Sequence, residues 1–148
     1  MIGEPLPHVV RPAGPADLAF VGSSWVQGIA HAAPWSSCER CWIEAATRAL
    51  SSRLMRIGTV LVACGAEDAA QLFGGIVGEP ARRNLHWVYT KATPDFRRLG
   101  VGTSLMRALF GDLMSAPIRY SARTSAIPHY HARWNLEYAP SILDELRR

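Results

Sequence analysis

Arg97-Arg98-Leu99-Gly100-Val101-Gly102 is the stretch whose residue types and spacing point most directly to chemistry. A β-rich run, Leu85 to Thr90, precedes it. After it, Val101, Leu105, Ala108, Leu109 and Leu113 recur at helical spacing. The stretch therefore reads as a loop that opens a helix. The first N–H groups of a helix have no partner within it and carry partial positive charge, so they suit an anion. Gly100 and Gly102 have no side chains, which lets a phosphate reach the backbone. Arg97 and Arg98 add charge. A tight strand-to-helix turn would use the same glycines. A dinucleotide loop would want a third glycine where Leu105 stands. A nucleoside-triphosphate loop would end in Gly-Lys-Ser/Thr, which this one does not.

The cysteines carry less. Cys38, Cys41 and Cys64 make an odd number, against a disulfide framework. Cys38-x-x-Cys41 would need two more ligands to hold zinc. His129 and His131, two apart, would not share a helix face, so no metal site is expected. The formal charge is +4, almost all from arginine, with Lys91 the single lysine. That balance suits a phosphate-rich cofactor or a nucleic acid. With 148 residues, 49% hydrophobic and 19% charged, the chain is long and apolar enough for one domain with a core. No apolar run reaches membrane-spanning length, and Met1 to Pro5 lacks the features of a signal peptide, so a cytoplasmic protein is expected.

Elements must position the glycine loop. His8 to Pro12 reads as a strand. Gly14-Pro15-Ala16-Asp17 starts a helix with Leu18, Val21, Trp25 and Ile29 on one face. Ser36 to Glu39 matches a capping box for a second helix, ending at Gly58, with Trp42, Ile43, Ala46, Leu50 and Leu54 inward. Thr59–Cys64, Gln71–Gly78 and Leu85–Thr90 form a three-strand meander, with glycines in the middle strand hinting at a bulge. After the loop and its helix, Ile118 to Arg123 reads as a strand parallel to its predecessor, because a helix crosses between them. A short helix over Ile127 to Arg133, an extended Leu136 to Tyr138 and a terminal helical turn from Ser141 complete the chain.

The Arg97-x-x-Gly100-x-Gly102 spacing, with Pro94-x-Phe96 before it, resembles the Arg/Gln-x-x-Gly-x-Gly/Ala pyrophosphate signature of the GNAT N-acetyltransferases. The order of elements, over about residues 8 to 138, is also that of the GNAT fold. The resemblance implies an α/β (α+β) single domain over residues 1 to 148, with a mixed central sheet flanked by helices and a shortened C-terminal part. Many members end the segment after the fifth strand in Tyr-x-x-x-Gly-Phe. Here Tyr130 leads to Trp134-Asn135-Leu136, with Asn135 for glycine, both tolerant of a left-handed backbone. Thr90 to Pro94 is about two residues longer than the usual link, and only about a dozen residues follow Asn135. Ser23-Ser24-Trp25 and Leu85-His86-Trp87-Val88-Tyr89 give a looser likeness to small phage-borne GNAT-like proteins.

The resemblance implies an acyltransferase that moves an acetyl group from acetyl-CoA to an amine by direct attack. Arg97, Arg98, Leu99, Gly100, Val101, Gly102 and Thr103 would hold the pyrophosphate. Thr90, Lys91 and Ala92 would pair with the pantetheine arm as an added strand does. Glu79 and His86 are the candidate general bases, and Tyr130 the acid for the departing thiolate. Backbone N–H groups of the splayed strand would meet the oxyanion. Two other readings stay open. One is a nucleobase-modifying or nucleic-acid-bound relative, using Arg82-Arg83 and the five tryptophans, although Trp25 and Trp42 read as core. The other is a non-catalytic interaction module. A truncated sheet edge at the C-terminus would favour a homodimer.

Overall fold

The computed structural model describes residues 8–30, 39–91, 100–121, 127–131 and 133–145. Six strands form one mixed sheet in sequential order: β1 (His8–Pro12), β2 (Thr59–Gly65), β3 (Leu72–Glu79), β4 (Asn84–Thr90), β5 (Ile118–Tyr120) and β6 (Leu136–Tyr138). The first four are antiparallel neighbours, and β4–β5 and β5–β6 are parallel. The switch follows from the connections. Tight turns join the meander strands, whereas α3 (Val101–Phe110) and α4 (Ile127–His131) each carry the chain back to start a parallel strand.

Each face of the sheet has its own core. On one, Val101, Leu105, Met106 and Leu109 of α3 pack on Phe73, Ile76, Leu85, Val88 and Ile118. These apolar residues have helical spacing on α3, so one stripe is buried. On the other face, α1 (Pro15–Ala30) and α2 (Arg40–Ile57) bring Val21, Trp25 and Leu54 onto Val62, Val77 and Trp87. Trp25 and Trp87 stack in parallel, centroids 5.9 Å apart. Arg11 ties the start of α1 to β1. Its guanidinium lies 2.6 Å from Asp17 Oδ2, which also accepts the Gly14 N–H at 2.7 Å. The guanidinium hydrogen bond holds the Asp17 carboxyl below its ordinary range despite burial.

Four expectations need correction. Helix α2 starts at Arg40, with Glu39 as an N-cap that makes no side-chain cap bond. The rest of the expected capping box lies outside the described residues. The buried face of α2 keeps the expected Leu50 and Leu54 but not Trp42 and Ala46. Thr47, Ser51 and Leu54 point inward, while Trp42 is 61% exposed and Ala46 is exposed. Apolar spacing alone favoured Trp42 and Ala46. Finally, Asn135 does not adopt the left-handed backbone; among the described residues other than glycine, Arg83 does, at φ 53°. Helix α3 ends at Phe110, so Leu113 is buried from the following loop and not from the helix.

Gly28 makes the Trp87 position possible. A Cβ there would fall inside the buried indole of Trp87, whose Nε1–H donates to Ser24 Oγ at 3.3 Å. Gly28→Ala is expected to lower unfolding stability by about 2 kcal/mol, read from the urea midpoint. Overpacking costs up to about 3 kcal/mol and improved helix propensity returns about 1. A midpoint equal to the wild type would mean that the ring pair is free to move.

Candidate active site

Strand β4 holds the site because it changes partner along its length. It pairs with β3 throughout, but with β5 only at Asn84–Arg119 and Leu85–Tyr120. Beyond Leu85 the edge of β4 facing β5 carries no ladder among the described residues. The Lys91 N–H donates to Phe73 O at 2.9 Å, so Lys91 and, by alternation, Tyr89 turn their backbone groups toward β3. Val88 and Thr90 therefore present theirs to the open edge. Of the expected arm-binding residues, Thr90 faces the gap, Lys91 does not, and Ala92 lies outside the described residues. The Lys91 ammonium instead sits over the Phe20 ring, 5.7 Å from its centroid.

The glycine loop meets this edge. Arg97, Arg98 and Leu99 lie outside the described residues. Gly100 caps α3 with a left-handed backbone, φ 67°, and a Cβ there would meet nothing within 4 Å. This conformation favours glycine. Val101 is buried and Thr103 half-buried in the first turn. Gly102 is also buried, and a Cβ on it would overlap the Tyr130 hydroxyl. The same Cβ would stand 3.6 Å from Thr90 Oγ1. That hydroxyl is buried beside the Tyr130 phenol. Loop, strand edge and Tyr130 thus converge on one point.

Tyr130 reaches it from α4, stacked on Trp134 at 4.8 Å between centroids. Burial pushes its phenol above the ordinary value, with Arg133 and the Thr90 hydroxyl acting the other way. The phenol therefore keeps its proton at neutral pH.

Glu79 and His86 lie at the other end of β4. Four residues separate His86 from Thr90, about 13 Å along a strand. His86 is the extra residue of a bulge, since Val77 pairs with Trp87 and Gly78 with Leu85. It is 2% exposed, and its Nε2 lies 3.1 Å from Glu79 Oε2. Burial lowers the imidazole pKa, partly offset by the Glu79 hydrogen bond and charge. The structure thus joins Glu79 to His86 and Tyr130 to the glycine loop, and separates the two groups. Sequence reading missed Asn84 and Arg119. Asn84 Nδ2 donates to Glu79 Oε2 at 3.2 Å, and Arg119 Nε donates to Asn84 Oδ1 at 3.1 Å. Their only sequence signal was a polar residue, at the start of β4 for Asn84 and between two apolar residues of β5 for Arg119.

Antiparallel β1 to β4, a parallel β5 that parts from β4 after two pairs, and a glycine-opened helix after β4 are the arrangement of acetyl-CoA enzymes named above. The chain has the GNAT fold. A GCN5-related N-acetyltransferase from Rhodopseudomonas palustris superposes with a TM-score of 0.57 at 20% identity, over 84% of this chain and 79% of that one. An acetyltransferase related to histone acetyltransferase HPA2, from Corynebacterium glutamicum, gives 0.51 at 20% identity over 68% of each chain. No family profile matches the sequence. No curated protein matches it either. Among the described residues of this GNAT fold, no helix is long and apolar enough to cross a membrane, and no His, Cys, Asp and Glu cluster could hold a metal.

Part of the basic surface expected for nucleic acid is used inside the fold. The Arg83 guanidinium donates to the carbonyls of Phe110, Asp112 and Ala116, at 3.3, 2.7 and 3.0 Å. It closes the C-terminal end of α3. Cys64 is buried; Cys41 lies in the first turn of α2, and Cys38 lies outside the described residues.

Proposed function

We propose that this protein transfers an acetyl group from acetyl-CoA to an amine. The observation that carries the reading is the unladdered edge of β4 beginning after Leu85 and ending beside the glycine-opened start of α3. Two features fit the cofactor there: the left-handed Gly100 and the missing side chain at Gly102. The N–H groups from Gly100 to Thr103, with Arg97 and Arg98, bind the diphosphate. Backbone groups of Val88 and Thr90 pair with the amides of the pantetheine arm. The thioester supplies the activated acetyl group.

The chain's residues then handle protons and geometry. An amine attacks only when neutral, so a base must take its proton. Glu79 and His86 serve there. Tyr130, kept protonated by burial, gives a proton to the departing sulfur. Backbone N–H groups of β4 beyond the bulge stabilise the charge on the carbonyl oxygen.

The test is calorimetric titration of the wild type with acetyl-CoA, followed by thiol release across a panel of primary amines. Micromolar binding with turnover of at least one amine is expected. Binding without turnover on any amine would favour the non-catalytic module. No binding by the folded protein would remove the acetyltransferase reading.

A further inference from the structure

Four polar residues stand in register across the sheet. Glu79 pairs with Asn84, Asn84 with Arg119, and Arg119 with Glu137. Register partners share a face of the sheet. Val77 packs with α1 and α2, and a Cβ on Gly78 would meet Leu109 and Phe110 of α3. By alternation Glu79 lies on the α1–α2 face, and the row lies there with it. The bulge turns His86 to the same side.

We propose that Glu79 and His86 are one proton relay, not two alternative bases, with His86 Nδ1 taking the acceptor's proton and Asn84 and Arg119 as positioning residues. The inference rests on the acyl-transfer reading. Its direction follows from hydrogen-bond polarity. Arg119 Nε can only donate, which fixes Asn84 with its oxygen toward Arg119 and its amide N–H toward Glu79. Glu79 Oε2, in a carboxylate, can only accept, and it takes both that N–H and His86 Nε2–H. The proton of the neutral imidazole therefore sits on Nε2. His86 Nδ1 is left with a bare lone pair, buried and without a partner.

A buried acceptor with no donor is costly, so this atom suits a donor that arrives with the substrate. His86 also follows Leu85, the last β4 residue laddered to β5. It stands at the closed end of the gap, about 13 Å along β4 from the glycine loop. An arm anchored at that loop and running along β4 brings its reactive end toward the imidazole.

The step balances as follows. The amine nitrogen bonds to the acetyl carbon, and its proton passes through water to His86 Nδ1, because the imidazole and the Tyr130 hydroxyl stand too far apart for one reacting carbon to touch both. The carbon–sulfur bond breaks, and the thiolate takes a proton from Tyr130. Glu79 stabilises the imidazolium. The relay resets by releasing the His86 proton to solvent and returning one to Tyr130. Among the described residues, Glu79 on β3 is the charge acting on the imidazole; Arg119 on β5 and Glu137 on β6 stand farther along the row.

Histidine-labelled full-length protein tests the geometry by NMR without any turnover. His86 is expected as the Nε2–H tautomer, neutral at pH 7. An Nδ1–H tautomer, or an imidazolium at pH 7, would overturn the proposal. Kinetics with acetyl-CoA and the best amine of the panel test the role. His86→Gln is expected to lower kcat/KM about 100-fold. Glu79→Gln keeps an oxygen for both donors but loses the charge that favours imidazolium. It is expected to lower the rate about 10-fold and move the low-pH limb of kcat/KM to lower pH. Arg119→Gln, which loosens Asn84, is expected to blur the tautomer and shift the limb the same way by less. Full rate in His86→Gln would sink the relay and leave acetyl transfer standing. Failure of the wild type on every amine would instead remove the acyl-transfer reading.

Discussion

Gly102→Glu is expected to weaken acetyl-CoA binding by about 100-fold or more in calorimetry, a loss of about 2.7 kcal/mol. Two causes act together. The new side chain starts where the Tyr130 hydroxyl already lies, beside Thr90 Oγ1. Its carboxylate also places negative charge at a helix start suited to the diphosphate. The two causes can be separated. Gly102→Ala has the overlap without the charge, and adding Tyr130→Phe removes the atom it meets. Gly102→Ala is expected to lose about 10-fold in affinity, and the double variant to recover most of it. The urea midpoint of each protein checks that the fold survives. Equal affinity in Gly102→Glu and wild type would mean that the diphosphate sits elsewhere.

Tyr130→Phe is expected to lower kcat about 100-fold, with the KM for acetyl-CoA within about 2-fold of wild type. The phenol is buried against Trp134 and held protonated, so its hydroxyl is a donor and adds little to affinity. The geometry also makes the opposite result informative. The hydroxyl lies at the glycine loop, at the far end of β4 from His86. If KM rises while kcat holds, the phenol belongs to cofactor binding and another group protonates the sulfur. The fold should tolerate the change, since the ring and its stack on Trp134 remain.

Much of the chain was legible because local chemistry decided it. The strands His8–Pro12 and Leu136–Tyr138 appear with the expected bounds. So does the N-terminal proline of α1. The C-terminal stop of α2 at Gly58 is equally local, with its N–H bonded to Leu54 O. Each follows from a short pattern: β-rich runs, proline in a first turn, glycine after a helix. The glycine loop was legible for the same reason, since a strand, two glycines and a helical stripe are neighbours in sequence. The meander and the parallel β5 followed from connection length.

What the tertiary structure decided concerns residues whose partners are distant in the chain. The buried side of α2 was set by tertiary packing, which covers Thr47 and Ser51 and leaves Trp42 exposed. Lys91 turns toward β3 because strand register, absent from any local pattern, assigns each backbone N–H a side. Asn84 and Arg119 gain a role only because β3, β4 and β5 align them with Glu79. The His86 bulge depends on one extra residue in β4 against β3. Sequence by itself determined most of the elements and the glycine-opened start of α3, through propensity and spacing within a few residues. The tertiary fold decided which side chains share a face and which lone pair is left bare, because both depend on register between strands far apart in the chain.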